Sequence, residues 1–248
     1  MTRSVDRALA LVEALEAAPQ EGASLMELAE RTGVDKSTVT RLLATCADRA
    51  WIVRDPVSRR YRLGPTLLAM ARRGSLDDRV MIAVYEALTA VRDATGETTG
   101  FHRRAGDRRV AIAGVESTHD VRRGFNAGES CSLLLGPASK AILAFVPDEE
   151  RSAILAAAPA DVDTAEVGRH VAFLRAHHYL STDGDRTDGV GAIATPVFDA
   201  RGVAGSVTSS GPAARFDGPA RERARTALFE AADAVTFALG GRRPRELT

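Results

Sequence analysis

One segment of the chain, Ser24 to Cys46, constrains the fold more than any other: S-L-M-E-L-A-E-R-T-G-V-D-K-S-T-V-T-R-L-L-A-T-C. Ser24 and Glu27 have the spacing of a capping box, which predicts the start of a helix. Gly33 gives the backbone the freedom for a sharp turn, and Asp35 can cap a second helix. On that second helix, apolar residues at i, i+3, i+4 and i+7 predict one buried face: Val39, Leu42, Leu43 and Cys46. Two short helices joined by a tight glycine turn are typical of a helix-turn-helix.

The other face of the second helix is small, polar and basic. The amino-terminal turns of a recognition helix approach base edges most closely, so we expect groove contacts from five residues: Lys36, Ser37, Thr38, Thr40 and Arg41. The fork of Arg41 matches the O6 and N7 acceptors of guanine, whereas Lys36 is better suited to a phosphate. An ordinary helical hairpin with a solvated polar face is the alternative interpretation of this stretch alone.

Two short β-type runs, residues 51–54 and 60–63, follow the helix-turn-helix and flank a turn at Asp55-Pro56. An amphipathic helix precedes it, from Ser4 to about Ala18, with a predicted buried face of Val5, Ala8, Leu9, Val12 and Leu15. Three helices followed by a basic hairpin predict a winged helix-turn-helix over residues 1–63. Arg59 and Arg60, at the predicted hairpin tip, are placed to contact phosphates, although either could instead serve only to keep an exposed strand edge soluble.

The distribution of charge agrees with a module that meets nucleic acid. The formal net charge of the 248 residues is zero, yet residues 30–73 contain ten Lys and Arg against four Asp and Glu. A basic segment that is compensated elsewhere in the chain suits a protein of which only one part contacts phosphate.

Cysteine content and hydropathy indicate the compartment. Cys46 and Cys131 are far apart and neither belongs to a C-x-x-C pair, which argues against a disulfide framework or a zinc knuckle. The sequence contains no apolar run of about 18 residues and no amino-terminal signal region, so we expect a soluble, cytoplasmic protein without a membrane partner.

A second domain is predicted over residues 76–248, after a linker helix over residues 64–75 that runs from Thr66 to Arg73 and breaks at Gly74-Ser75. Its predicted helices are Leu76 to about Thr95, Pro137–Phe145, Asp148–Ala157, Asp163–His178 and Pro219–Leu239. Its predicted strands are Thr98–Arg104, Arg108–Glu116, Val121–Ala127, Val190–Phe198 and Val203–Ser209. Pro196 lacks an amide donor, which predicts a sheet edge or a bulge at that position. An antiparallel sheet with helices at both ends of the segment indicates an α+β domain.

Several motifs in the same order resemble those of IclR-type transcriptional regulators. In the first half they are S-V-D-R-A-L-A-L-V-E-A-L at Ser4–Leu15, the helix-turn-helix core L-x-E-L-A-E-R-T-G-V-D-K-S-T-V-x-R-L-L, and R-Y-R-L-G at Arg60–Gly64. In the second half they are G-P-A-S-K-A-I-L-A-F, D-G-D-R-T-D-G-V, A-T-P-V-F-D and S-S-G-P, at Gly136–Phe145, Asp183–Val190, Ala194–Asp199 and Ser209–Pro212. Departures from the family pattern lie at Ser132–Leu134, Ser139, Gly191 and Ala192, so the resemblance does not name a ligand.

The resemblance implies a GAF-like effector-binding domain and a homodimer or dimer of dimers that binds double-stranded operator DNA. A small metabolite in the second domain would change that binding, and the sequence leaves open whether the protein represses or activates. A proline and small residues open the helix at Gly136, leaving free amides that suit a carboxylate or similar anion. By resemblance, Pro137 and Ala138 contribute backbone to the effector, and five further residues surround it: Thr182, Asp183, Ala192, Thr208 and Ser210.

Catalytic motifs are lacking in the sequence: it has no G-x-S-x-G, no phosphate-binding loop and no dinucleotide-binding glycine run. We therefore expect no enzyme activity, no cofactor and no metal. The alternative function is a DNA-tethered metal-dependent sensor or small-molecule enzyme, with His177, His178, Asp183 and Asp185 as the metal candidates. A winged helix used only for protein contacts is a third possibility.

Overall fold

The computed structural model describes residues 2–74 and 77–244, without the side chains of residues 68 and 71–74. The chain divides into two compact units, Met1–Ser75 and Leu76–Thr248. The predicted helix break at Ser75 and helix start at Leu76 lie outside the described residues.

The first unit consists of helices around a small hairpin: α1 (Arg3–Glu16), α2 (Leu25–Thr32), α3 (Lys36–Ala47), β1 (Ile52–Arg54), β2 (Tyr61–Leu63) and α4 (Pro65–Gly74). Ser24 Oγ accepts the Glu27 amide and Glu27 accepts the Ser24 amide, which confirms the capping box. Gly33 has a φ of +65°, the left-handed conformation that a tight turn requires. Asp35 caps α3, as predicted.

The predicted buried face of α1 was partly wrong. Leu11 and Leu15 are buried, whereas Val5 and Leu9 are 56% and 53% exposed. The helix carries two overlapping apolar stripes, and periodicity alone does not choose between them. The packing of α1 against α2, α3 and β2 buries the stripe that contains Leu11. The helix also begins one residue before Ser4, which therefore lies inside it.

The second unit is an α+β domain, as predicted. Its elements are α5 (Asp78–Thr95), β3 (Thr98–Ala105), β4 (Arg108–Val115), β5 (Ser130–Ser132), α6 (Gly136–Leu143), α7 (Asp148–Ala156), α8 (Thr164–His177), β6 (Leu180–Asp183), β7 (Val190–Asp199), β8 (Gly202–Pro212), a 3₁₀ turn (Ala213–Arg215) and α9 (Gly218–Ala238). The six strands form one antiparallel sheet in the order β5-β4-β3-β8-β7-β6.

Helices cover each face of the sheet, so the central strands β3, β7 and β8 are largely buried on both sides. Successive strand residues point to opposite faces, and Ile193 and Ala194 of β7 accordingly belong to different cores. Ile193 packs in the core that contains α5 and α9, with Leu88 and Leu228. Ala194 packs in the core that contains α6 and α8. The cavity described below opens on the α6 side.

One predicted strand was wrong, and two strands of the sheet were not predicted. Residues 121–127 were predicted as a strand but form an irregular loop, in which Thr98 Oγ1 donates to the Arg123 carbonyl and Glu116 accepts the Phe125 amide. The strand that pairs with β4 is instead the short β5, which the sequence did not indicate. Strand β6 was also missed.

The expectation for Pro196 is confirmed. Strand β6 pairs with β7 only as far as Leu180 opposite Ala194, so Pro196 lies beyond that ladder and needs no amide donor there. The register of β7 with β8 also shifts between Val197 and Phe198.

Candidate DNA-binding surface and candidate ligand cavity

The amino-terminal turns of α3 expose four of the five predicted groove residues: Lys36, Ser37, Thr40 and Arg41. The fifth, Thr38, is half-buried, and its amide donates to Asp35 Oδ1 at 2.9 Å. Hydrogen bonds from the Ser37 hydroxyl and the Thr38 amide hold the pKa of Asp35 far below its ordinary value, so the cap is anionic at neutral pH.

The hydroxyl protons on this face are already engaged. Ser37 Oγ donates to Asp35 at 2.7 Å, and Thr40 Oγ1 donates to the Lys36 carbonyl at 2.8 Å. Both oxygens therefore present lone pairs outward and are poised to accept from base amino groups. Lys36 and Arg41 supply the donors. Thr45, which sequence reasoning missed, is exposed one turn beyond Arg41 and extends the same face.

The turn between β1 and β2 holds the predicted wing residues in different environments. Asp55 Oδ1 accepts the Ser58 amide at 2.7 Å and the Val57 amide at 3.0 Å, which fixes the turn. Arg59 is exposed, with a φ of +58°. Its side chain remains a candidate for a phosphate contact.

Arg60 does not lie at an exposed tip, and that prediction was wrong. Its Nε donates to the Gly22 carbonyl at 2.9 Å, and its Nη2 lies 2.7 Å from Glu27 Oε2. Glu27 is also the capping-box residue of α2, and the Ser24 amide and Arg60 lower the pKa of its carboxyl group. Through these two contacts the guanidinium ties the wing to α2.

A cavity of about 80 Å³ opens on the α6 side of the sheet in the second unit. One water molecule needs roughly 10–15 Å³, so the space suits a small organic molecule. Six of the seven predicted effector residues line it: Pro137, Ala138, Thr182, Ala192, Thr208 and Ser210.

Asp183, the seventh, does not line the cavity. It follows Thr182 in β6, and because successive strand residues point to opposite faces, only one of the two can reach the ligand space. The Asp183 carboxylate instead accepts a hydrogen bond from Arg221 of α9.

A buried hydrogen-bond chain forms one wall of the cavity, and sequence reasoning missed it. Arg109, 3% exposed, donates from Nη1 to His102 Nδ1 at 2.8 Å and from Nε to Ser139 Oγ at 3.0 Å. His102 Nε2 lies 3.3 Å from Thr208 Oγ1, which in turn donates to the Gly100 carbonyl at 3.3 Å. Burial holds the pKa of His102 well below its ordinary value and the Arg109 charge lowers it further, so the imidazole is neutral.

The two carboxylates at the cavity are each paired with a cation. Arg186 forms an ion pair with Glu129, and both residues line the cavity. Asp185 accepts from Lys140 Nζ at 2.7 Å, and Lys140 is 2% exposed, so this lysine is a buried partner rather than a surface charge. Arg123 also lines the cavity.

The residues of the metal alternative are directed to separate partners. His177 contacts the Phe173 ring, His178 stacks on Phe145, and Asp183 and Asp185 bind Arg221 and Lys140. Among residues 2–74 and 77–244, no three His, Cys, Asp or Glu side chains are grouped so that they could hold a metal ion. In the same residues, no helix is long and apolar enough to cross a membrane.

A winged helix-turn-helix joined to an α+β domain that contains a cavity is the architecture of a class of DNA-binding transcriptional regulators. Family models agree with that class. The IclR helix-turn-helix domain matches residues 4–56, and the model described as bacterial transcriptional regulator IclR C-terminal matches residues 77–237. The chain belongs to the IclR family of transcriptional regulators.

Individual relatives are similar along nearly the whole chain. The HTH-type transcriptional regulator BhcR of Paracoccus denitrificans is 28% identical over 253 residues, covering 97% of this chain and 88% of the relative. A solved IclR transcriptional regulator from Alicyclobacillus acidocaldarius superposes with a TM-score of 0.77 at 29% identity, covering 97% of this chain and 100% of that one.

An IclR homologue from Microbacterium hydrocarbonoxydans, solved with 4-hydroxybenzoate, has a TM-score of 0.76 and covers 95% of this chain and 98% of that one. Its identity to this chain is 18%, so that likeness shows the fold alone.

Proposed function

We propose that the chain is a ligand-responsive transcriptional regulator without catalytic activity. In this proposal a cytoplasmic homodimer, or a dimer of dimers, binds operator DNA through α3 and the wing. A small anionic metabolite in the cavity of the second domain changes the affinity or the geometry of that binding. The observation that carries the proposal is the buried guanidinium of Arg109.

Arg109 supports an anionic effector because its charge is not matched by a carboxylate. Its hydrogen-bond partners are a hydroxyl and a neutral imidazole, and within the described part of the chain no acid forms an ion pair with it. A buried charge without a counter-ion costs on the order of several kcal/mol. A carboxylate that entered the cavity would offset that cost through charge-assisted hydrogen bonds.

The start of α6 adds a second source of positive potential. Gly136 has a φ of +76°, and Pro137 occupies the first turn. The unpaired amides of a helix amino terminus attract anions. Ser139 of this turn accepts from Arg109, so guanidinium and helix terminus lie side by side. The related fold solved with 4-hydroxybenzoate is consistent with a small carboxylate as ligand.

The DNA-binding half of the proposal assigns different tasks to the basic residues. Arg41 reads guanine in the major groove, while Lys36 and Arg59 hold phosphates. Ser37 and Thr40 accept from base amino groups. Thr38 contributes indirectly, because its amide donates to the Asp35 carboxylate and so helps to fix the start of α3.

The test uses the full-length protein and an operator selected from a random duplex library. Thermal shifts with small carboxylates identify a ligand, since a ligand that binds the folded state raises the melting temperature. Arg109→Met should abolish the shift, whereas Arg223→Met, at an exposed position of α9 outside the cavity, is the matched control and should retain it. A wild-type protein that selects no duplex would refute the proposed DNA binding. An unchanged thermal shift in Arg109→Met would refute the proposed binding of an anion by Arg109.

A further inference from the structure

In the Arg109–His102–Thr208 hydrogen-bond chain, the donor of each bond follows from the chemistry of the guanidinium group. A guanidinium carries only donors, so the ring nitrogen that contacts it, His102 Nδ1, must accept. In a neutral imidazole the other nitrogen then carries the proton. His102 Nε2 therefore donates to Thr208 Oγ1. The Thr208 proton is directed to the Gly100 carbonyl.

Thr208 consequently offers the cavity a lone pair and no proton. Arg109 offers the opposite, because Nη2 and one Nη1 proton have no acceptor among the described residues. The two groups lie at opposite ends of one imidazole ring. A ligand that satisfies both must present an anionic acceptor to Arg109 and, within a few bonds of it, a donor to Thr208.

The charge of the cavity distinguishes a hydroxyl donor from an ammonium donor. Arg109, Arg123 and Arg186 line the cavity, and its two carboxylates are already paired with Arg186 and Lys140. A cationic amine would meet the excess positive charge, whereas a neutral hydroxyl would not. An oxo group would place a second acceptor against the Thr208 lone pair.

We propose that the cavity selects a hydroxycarboxylate whose hydroxyl lies close to its carboxylate, and that His102 and Thr208 determine this specificity. The inference rests on the proposed function, because it concerns the ligand of the same cavity. His102 acts as a positioning residue, because it directs the Thr208 hydroxyl.

The experiment compares matched acids on the full-length protein by calorimetric titration. Mandelate, phenylglyoxylate, phenylacetate and phenylglycine differ only at the carbon beside the carboxylate, and lactate, pyruvate, propionate and alanine form a smaller series. In at least one series the hydroxy acid should bind about tenfold tighter than its oxo, unsubstituted and amino counterparts, as expected for one satisfied hydrogen bond to a buried acceptor.

Three variants identify the residue responsible. Thr208→Val should remove the preference for the hydroxy acid, and Thr208→Ser should retain it. Thr226→Val, the same substitution at an exposed position of α9 outside the cavity, is the matched control and should also retain it. Thr208→Val also leaves the His102 Nε2 proton without its acceptor. The melting temperatures of the unliganded variants are therefore compared, to detect any loss of stability. Thr208→Ser keeps the acceptor and tests the role of the hydroxyl without that loss.

Each outcome separates the two proposals. If oxo or unsubstituted acids bind as tightly as the hydroxy acid, the specificity inference fails and the anion-responsive function stands. Tighter binding of the amino acid would also overturn the inference. If no acid of either series binds, the specificity inference fails, and the anion-responsive function is decided separately by the thermal-shift comparison of wild type with Arg109→Met.

Discussion

The Arg60 guanidinium lies 2.7 Å from the Glu27 carboxylate and joins the wing hairpin to the first turn of α2. The same carboxylate completes the capping box of that helix. Arg60, which the sequence predicted to contact phosphates, is thus bound within the fold. Its neighbour Arg59 remains exposed.

The pair Arg59 and Arg60 provides a test of this division. Arg60→Met should lower the melting temperature because it removes the bond to Glu27 and the bond to the Gly22 carbonyl. Arg59→Met should leave the melting temperature unchanged, weaken binding to all duplexes alike and flatten its salt dependence. Calorimetry and duplex titrations at two salt concentrations measure both effects, and the reverse pattern would refute the assignment.

Arg41 should behave differently from Arg59 because it is expected to read a base. Arg41→Ala should cost roughly 1–3 kcal/mol on the selected operator and relax one base position. On a scrambled duplex the loss should be much smaller. Thr45→Ala, one turn away on the same helix face, serves as the comparison. Equal losses on both duplexes would show that Arg41 contacts only the backbone.

The acid sensitivity of the second domain should depend on His102. Its pKa is lower in the folded protein than in the unfolded chain, so the unfolded chain binds more protons as the pH falls below about 6.5. Folded stability is therefore fully present above that pH and decreases below it. His170, whose pKa burial also lowers, adds to the decrease.

His102→Gln should reduce this loss between pH 7 and 5. A glutamine oxygen can accept from Arg109 and its amide can donate to Thr208, so the hydrogen-bond direction is kept without a titrating group. His119→Gln is the control. Denaturant unfolding across the pH range measures the slope, and an unchanged slope in His102→Gln would contradict the neutral, buried imidazole.

Gly114 should tolerate no side chain, because a Cβ there would lie 2.3 Å from the Phe125 ring. Gly114→Ala must displace the phenyl ring that helps line the cavity, and we expect a loss of roughly 1–3 kcal/mol of stability together with weaker ligand binding. Gly168→Ala in α8 meets no atom within 4 Å and should stabilise the helix by about 0.5–1 kcal/mol. Equal effects of the two substitutions would show that Phe125 does not rest on Gly114.

The local features of the fold could be predicted because their partners are close in sequence. Ser24 and Glu27 are three residues apart, and so are Asp35 and the Thr38 amide that it caps. The helices of the first unit follow from such signals. The apolar stripe of α1 did not, since its choice depends on where α2, α3 and β2 lie.

The cavity could not be predicted because its contacts join residues on different strands or far apart in the sequence. Arg109 of β4 contacts His102 of β3 diagonally, because His102 lies opposite Ala111. That pairing follows a register shift between Phe101 and His102, which the sequence does not indicate. Lys140 and Asp185 are 45 residues apart. Because strand β6 was not predicted, the sequence also did not show that Thr182 and Asp183 point to opposite faces of the sheet.

Ligand in the cavity and binding of the operator should be thermodynamically coupled. Operator affinity of the full-length protein is determined with and without the acid that binds most tightly, for wild type and for Arg109→Met. We predict that the acid changes wild-type affinity by roughly 5–150-fold, and that the variant binds operator with wild-type affinity but does not respond. An equal response in both proteins, or no response in the wild type at saturating acid, would contradict the account.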